Sequence, residues 1–358
     1  MTSLLDAPEL TILTGASGWF GRAYLAAIAA VGEHRSSKDD STGPMMRPLN
    51  VRVLVATPDD IEPVLAVLPA AQVHVGSVTD PAALKRIFAD AKDASVVHAA
   101  GVIHAKKVSD FEAVNADGTA NVLAAAKQAQ IRRLVHVSSN SPFGVNPTTT
   151  DEFRHDEPYD PYLGYGHSKM IAEARVRAAH GNGLDTVVVR PPWFYGPWQP
   201  LRQTTFFRLI RTGRFPLIGD GSQRRSMVFV DNLVQGVVLA ERHPDAPGDA
   251  FWIADARPYP MLEILATVKQ ALRDEGFDVA DRQVKLPSAA AKVAERIDRV
   301  LQARGIYHQE FHVLGEMNKT IACDISHSRE VLGYDPKVEL HEGMRRSIRW
   351  CIEQGVKI

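Results

Sequence analysis

Thr14-Gly15-Ala16-Ser17-Gly18-Trp19-Phe20-Gly21 follows a short apolar run, Leu10–Leu13, and leads into the helical pattern of Gly21–Val31. Glycine at 15, 18 and 21 permits a tight turn and lets backbone N–H groups come close to a ligand. The helix that opens there adds the positive end of its dipole, so the segment suits a pyrophosphate. The spacing is GxxGxxG, and its weight comes from its place directly after a first strand. A glycine turn that holds nothing is the competing reading.

Working outward, short apolar runs recur at Val51–Val55, Gln72–Val75, Ser95–His98, Leu134–Ser138 and Val187–Arg190. Segments with helical spacing, such as Pro81–Asp90 and Phe111–Gln128, separate them. This alternation predicts an α/β fold, a Rossmann-type doubly wound parallel sheet with right-handed crossovers. Residues 1–190 form that domain. Gly32–Asn50 is polar and reads as an enlarged loop inserted after the first helix. Residues 191–358 read mainly as a smaller, mixed α/β substrate domain, with segments at about 225–253 and 320–336 returning to the first.

The bulk properties exclude several classes. Apolar residues make up 45% and charged residues 23% of the 358, and the formal net charge is −1. No general attraction to nucleic acid or to an anionic membrane is expected. Cys323 and Cys351 lack metal-ligand spacing and read as buried thiols, so no metal site is expected. The start has no basic region ahead of an apolar stretch, and no apolar run reaches 18 residues. A cytoplasmic protein with no membrane span is the expectation.

The second strand runs into Ala56-Thr57-Pro58-Asp59-Asp60, where a dinucleotide's adenosine ribose would lie. The expected position is neither acidic nor basic; Asp59 or Asp60 could reach the ribose, with solvated loop charges as the competing reading. NAD is therefore favoured, and NADP stays open.

Tyr165-Gly166-His167-Ser168-Lys169 begins a helix, and residues at i and i+4 share a face. A tyrosine near its ordinary pKa of about 10 is a weak base at neutral pH. An adjacent ammonium favours the phenolate, so the pair suits proton transfer. Upstream, Val137-Ser138-Ser139-Asn140 ends a strand, and a serine there could hydrogen-bond the reacting oxygen.

Together these stretches resemble the extended short-chain dehydrogenases/reductases, the group with NAD-dependent nucleotide-sugar epimerases, dehydratases and 3β-hydroxysteroid dehydrogenases. The likeness spans TGASGWFG (14–21), VVHAAG (96–101), VNADGTANVL (114–123), VSSNSPFG (137–144), YGHSK (165–169), RPPWFYGP (190–197), GDGSQRRSMVFVDN (219–232) and LGYDP (332–336). The resemblance implies that Ser139, with Ser138 as fallback, joins Tyr165 and Lys169 as catalytic residues. It places the cofactor on Gly15, Ser17, Gly18, Trp19, Phe20 and Gly21. It adds Ala56, Thr57, Ser77 and Val78 near the adenosine, and Ala99, Ala100 and Gly101 after the fourth strand. Val137, Pro192 and Trp193 complete the cofactor contacts, and Asn115 is implied to tie strands four and five together. A small-molecule substrate would meet Asn140, Ser141, Trp193, Phe194 and Arg225. A homodimer is implied as well.

The chain departs from the family's pattern in three respects. Asn140-Ser141 replace the dehydratases' acidic pair, which argues against dehydration. Trp193 replaces an Asn that contacts nucleotide-sugars and suggests a more apolar pocket; Phe143, Phe194, Tyr195 and Trp198 could extend its wall. Ser77 replaces the adenine-binding Asp. The expected activity is hydride transfer at a secondary alcohol or ketone, steroid-like or otherwise apolar. The alternatives are a nucleotide-sugar epimerase or reductase with Arg225 on the diphosphate, and a catalytically silent cofactor-binding protein.

Overall fold

The computed structural model describes residues 5, 7–36, 50–181 and 183–358. Six strands arise from the apolar runs: β1 (Leu10–Thr14), β2 (Asn50–Val55), β3 (Gln72–Val75), β4 (Ser95–His98), β5 (Arg133–Val137) and β6 (Asp185–Arg190). After β6 come β7 (Trp193–Tyr195), β8 (Pro216–Ile218), β9 (Arg224–Arg225) and β10 (Met227–Phe229), and then β11 (Ala250–Trp252), which pairs with β6. The central sheet has the order β11-β6-β5-β4-β1-β2-β3. All its pairings are parallel. Val53, Val96, Val97, Val135 and Val187 are wholly buried, as strands covered on both faces must be. The strand order reverses between β1 and β4, so their carboxyl ends flank the crevice where such folds bind ligands.

Six helices accompany the first half: α1 (Trp19–Ser36), α2 (Ile61–Leu65), α3 (Pro81–Ile87), α4 (Val108–Phe111), α5 (Gly118–Gln128) and α6 (Leu163–Ala179). Local sequence sets their starts. Asp80 caps α3 by accepting from the Ala82 amide at 2.9 Å, and Pro81 occupies a position whose N–H would be idle. The helix expected over Phe111–Gln128 is not uniform, because Glu112–Asp117 forms a wider π-type turn. The loop expected over 32–50 is also shorter. Helix α1 propagates through Gly32–Ser36, and Asn50 already pairs with Leu10. Positions 37–49 lie outside the described residues.

In the second half, α7 (Leu201–Arg211), α8 (Val230–Arg242), α9 (Met261–Asp274), α10 (Ser288–Ala303), α11 (Gln309–Glu316), α12 (Ser326–Leu332) and α13 (Leu340–Glu353) alternate with short strands. Those include β12 (Tyr259–Pro260) and β13 (Val284–Leu286). Phe206, Phe207, Leu265, Met344 and Ile348 build a second core here. The chain does not divide once, however. Val228–Ala254 and Ile321–Tyr334 contribute side chains to the core of the main sheet.

A buried ion pair joins β6 to α6. Arg190 reaches Glu173 Oε1 through Nε at 3.0 Å and Nη2 at 2.6 Å, with both side chains fully buried. The Ser138 hydroxyl donates to Glu173 Oε2 at 2.7 Å, and the Tyr159 hydroxyl donates to Oε1 at 3.1 Å. Arg190 Nη1 donates to the His155 carbonyl, and the guanidinium lies 4.4 Å from the centre of the Phe143 ring. Charges this deep persist only when paired and hydrogen-bonded.

Removing one partner strands the other. Glu173→Ala is expected to lower unfolding free energy by about 3–5 kcal/mol. The double change Arg190→Met with Glu173→Leu should recover most of it. Urea unfolding of the three proteins checks this; an unchanged midpoint for Glu173→Ala would contradict it.

Candidate active site

The glycine turn sits against β4. Gly15 has φ +76°, and a Cβ there would lie 2.7 Å from the Ala100 amide nitrogen. A Cβ on Gly21 would lie 2.3 Å from the Gly15 carbonyl oxygen. Gly18 differs: it is exposed, and its Cβ would meet only that same oxygen, at 3.1 Å. The first-turn amides of α1 have no acceptor in their own helix. The turn thus offers a cradle open on one side, which fits a dinucleotide pyrophosphate.

Beneath the turn runs a buried chain of neutral groups. Ala100 N donates to Thr14 Oγ1 at 3.2 Å, and Thr14 Oγ1 lies 2.7 Å from His98 Nδ1. His98 Nε2 lies 2.9 Å from Thr119 Oγ1, which donates to the Asn115 carbonyl. Burial, with Lys169 adding to it, pulls the His98 imidazole down to about 3. His136, its neighbour on β5, is pulled down for the same reasons. Both are neutral structural histidines.

Helix α6 carries Tyr165, Lys169 and Glu173 at intervals of four on one face. Lys169 is buried and donates to the Val137 carbonyl at 2.9 Å, with His136 Nε2 at 3.5 Å. Burial pulls its ammonium down to about 8, and Glu173 opposes that pull. Tyr165 is half-buried, packs on Phe111 at 5.8 Å, and has the Ser139 hydroxyl beside its phenol. Burial pushes its phenol above the ordinary value, while Ser139 and then Arg202 pull it back. The expectation that Lys169 would depress the phenol is not met in this geometry, since Lys169 is drawn onto β5. Ser138 is committed to Glu173. Ser139 instead stands beside the Tyr165 phenol and accepts from the Ser141 amide at 3.2 Å.

The second half covers this face. Tyr307, in the turn after α10, bonds His104 Nδ1 at 3.0 Å and sets its ring edge-on to Phe111 at 5.1 Å. Arg202, in the first turn of α7, acts electrostatically on Tyr165 and Tyr307, and no carboxylate pairs with it among the described residues. Glu316, at the end of α11, also acts on Tyr165. None of Arg202, Tyr307 or Glu316 stood out in the sequence.

Other expected positions divide. Trp19 Nε1 donates to the Pro197 carbonyl at 2.7 Å, and its ring packs on Phe194 at 4.6 Å. Phe20 and Val78 are buried, so their side chains belong to the core. Ser77 Oγ bonds Thr79 Oγ1 at 2.8 Å, and Thr57 is engaged by Asp60. Trp193 Nε1 donates to Gln203 Oε1 at 3.4 Å beside Phe206. Asn140 lends its carbonyl to the Phe143 amide at 3.0 Å. Ala99 follows β4 and bonds the Thr14 carbonyl, a Cβ on Gly101 would lie 3.1 Å from the Asn115 carboxamide, and Pro192 is buried between β6 and β7.

Three corrections follow. Asn115 does not tie strands four and five: its carboxamide exchanges two bonds with the Val102 backbone and donates to Ser168 on α6. Phe143 and Tyr195 are core residues rather than substrate wall, because Phe143 sits under Arg190 and Tyr195 donates to buried Asp255. The Ser17 hydroxyl makes no hydrogen bond among the described residues. Arg225 is half-buried beside the end of α11, donating to the Glu316 carbonyl, with its Nε left without a hydrogen-bond partner.

With this geometry in place, a family model described as the NAD dependent epimerase/dehydratase family matches residues 11–254. The chain is 45% identical over 354 residues to the uncharacterized protein y4nL of Sinorhizobium fredii, covering 98% of this chain and 97% of that one. It is 30% identical over 342 residues to 4-hydroxy-2-methyl-3-oxo-4-farnesyl-3,4-dihydroquinoline-1-oxide ketoreductase of Stigmatella aurantiaca, covering 93% and 94%. Among solved structures, the dTDP-glucose 4,6-dehydratase DesIV from Streptomyces venezuelae, with NAD and TYD bound, superposes with TM-score 0.70. That likeness has 23% identity and covers 96% of this chain and 97% of the other.

The buried imidazoles give the fold an acid limit. The unfolded chain binds a proton at His98 below about pH 6.5, whereas the native site resists it down to about 3. Their contribution is complete above pH 6.5 and is lost as the pH falls through that window. His98→Asn should start less stable yet decline less steeply from pH 6.5 to 4 in urea titrations. Equal slopes in the two proteins would show another source.

Proposed function

The chain belongs to the NAD dependent epimerase/dehydratase family and is an NAD-dependent enzyme of the extended short-chain dehydrogenase type; from that premise we propose that it interconverts a ketone and a secondary alcohol on a largely apolar substrate. The observation that carries this reading is the Tyr165 phenol set beside the Ser139 hydroxyl, with Lys169 one helical turn below.

NAD, when bound, accepts hydride from the alcohol or, in reduced form, returns it to the ketone. Gly15, Gly18 and Gly21 would hold its pyrophosphate, and Lys169 its nicotinamide ribose. For reduction, the Tyr165 hydroxyl gives its proton to the carbonyl oxygen, and the Ser139 hydroxyl bonds the same oxygen. The phenolate left behind is stabilised by the Arg202 guanidinium and by Lys169 once it lifts from the Val137 carbonyl. For oxidation the same atoms run in reverse. General acid–base help of this kind contributes about 10²–10⁴-fold.

Two further features favour simple redox chemistry on an apolar ketone. Asn140-Ser141 provide no carboxylate for proton abstraction, so water loss has no base there. The Stigmatella relative is by name a ketoreductase whose substrate bears a 3-oxo group and a farnesyl chain. One observation favours a second reading: the unpartnered Arg225 Nε is a donor suited to the diphosphate of a nucleotide-sugar. A substrate panel of apolar ketones against sugar nucleotides, with products identified directly, separates the two.

Tyr165→Phe should lower kcat by roughly 10²–10⁴-fold while leaving NAD affinity, read by fluorescence titration, unchanged. Retained turnover would remove Tyr165 from the reaction. The kcat/KM profile should fall above about pH 8 as Lys169 loses its proton. A profile flat to strongly alkaline pH would rule out a role for the ammonium. Arg202→Gln should reduce kcat about tenfold, equivalent to about 1.4 kcal/mol of lost phenolate stabilisation, and move the profile toward alkaline pH.

A further inference from the structure

Large apolar side chains scattered singly on a surface are ordinary. Here they are concentrated. Ten large apolar residues are exposed among the described residues, and six of them, Val284, Val293, Ile297, Val300, Ile306 and Val313, fall within residues 284–313. Helix α10 explains the pattern. Ala291, Ala294, Asp298 and Gln302 turn inward, whereas Val293, Ile297 and Val300, spaced by four and three, form one outward stripe. Val293 is 54% exposed and Val300 50%. Sixteen residues make a helix about 24 Å long, so the stripe is an extended face.

Charge on this hairpin is sorted by side. Glu295 is held by Arg299 at 2.9 Å and Lys319 at 3.2 Å. Asp298 is buried and bonded by Tyr162, Gln302 and His312. The carboxylates of α10 are therefore neutralised or withdrawn. Lys292 and Arg296 flank the apolar stripe, and Arg304 follows it; all three are exposed and form no ion pair among the described residues. On α11 the exposed Glu310 has His308 Nδ1 at 3.0 Å. An apolar stripe edged by unpaired cations is the pattern of a helix lying in a membrane interface.

The stripe also borders the mouth of the active site. Ile306, 49% exposed, bridges to Lys107, and the next residue is Tyr307, which packs near Tyr165 through Phe111. Leu201, 77% exposed, precedes Arg202, the cation that faces Tyr165. We propose that the α10–α11 hairpin, with the rim residues Ile306 and Leu201, docks this enzyme on an anionic lipid surface and opens its cleft toward the bilayer. The occupant is the lipid headgroup and outer acyl region. Unpaired cations meet the phosphates, and the valine–isoleucine stripe enters the boundary between headgroups and chains. Among the described residues no helix is long and apolar enough to cross a membrane, and the attachment proposed is a peripheral one. The surface stands on its own observations and does not depend on the ketone reading.

The test is flotation of the full chain with phosphatidylcholine vesicles, with and without phosphatidylglycerol, at low and high salt. Binding is expected to the anionic vesicles and to weaken with salt. Lys292→Gln should weaken it about fivefold and Arg296→Glu roughly thirtyfold, at about one kcal/mol per charge. Val293→Asn with Ile297→Asn and Val300→Asn should abolish it. Circular dichroism and NAD titration establish that each variant is folded. No binding to anionic vesicles, or binding unchanged in these folded variants, overturns the proposal. So does a concentration-dependent dimer in gel filtration that the asparagine variant dissolves without any vesicle binding, since a second copy would then cover the face.

Discussion

Arg190 and Glu173 form the constraint on which the site's geometry depends. Their pairing joins the end of β6 to the middle of α6, and Ser138 and Tyr159 complete the carboxylate's bonds. Helix α6 cannot rotate without breaking this buried pair, which would expose two uncompensated charges to the core. Lys169 and Tyr165 stand four and eight residues before Glu173 on the same face, so fixing Glu173 fixes their direction. The pair also sorts the two serines. Ser138 is absorbed by the carboxylate, and Ser139, pointing the other way along an extended segment, reaches the phenol.

A second buried network does the same for the cofactor side. Thr14, His98, Thr119 and Asn115 pass hydrogen bonds from the end of β1 to β4 and on to α5 and the π-type turn. Asn115 continues the network to Ser168 on α6. The nucleotide turn and the catalytic helix are therefore held by linked polar contacts in a low-dielectric interior, where fully satisfied networks are rigid.

How much of this could be read from the sequence depended on how local each signal was. Strands β1 to β6 are short runs rich in β-branched residues, and the glycine turn and Tyr165–Lys169 spacing lie within eight and five residues. Strand β11 is three residues, Ala250–Trp252, with no period of its own, and only pairing with β6 reveals it. Arg190 and Glu173 look like solvent-facing charges in sequence, because nothing local says that both are enclosed. Arg202 and Tyr307 meet Tyr165 across 37 and 142 residues of chain, a juxtaposition that packing alone creates. Asn115 was visible, but its partners were not: the lone carboxamide found the Val102 backbone instead of the neighbouring strand.

The three glycines of the turn answer to different masters. A side chain at position 15 or 21 would collide with the protein's own backbone, at 2.7 and 2.3 Å, so folding alone demands glycine there. Position 18 is open to solvent, and a methyl group would need the Gly15 carbonyl to yield only a few tenths of an ångström. Folding could tolerate alanine at that point; a tightly held pyrophosphate could not. At positions 15 and 21 the demand for glycine is the fold's own, whereas at 18 it would come from the pyrophosphate that the turn is proposed to hold.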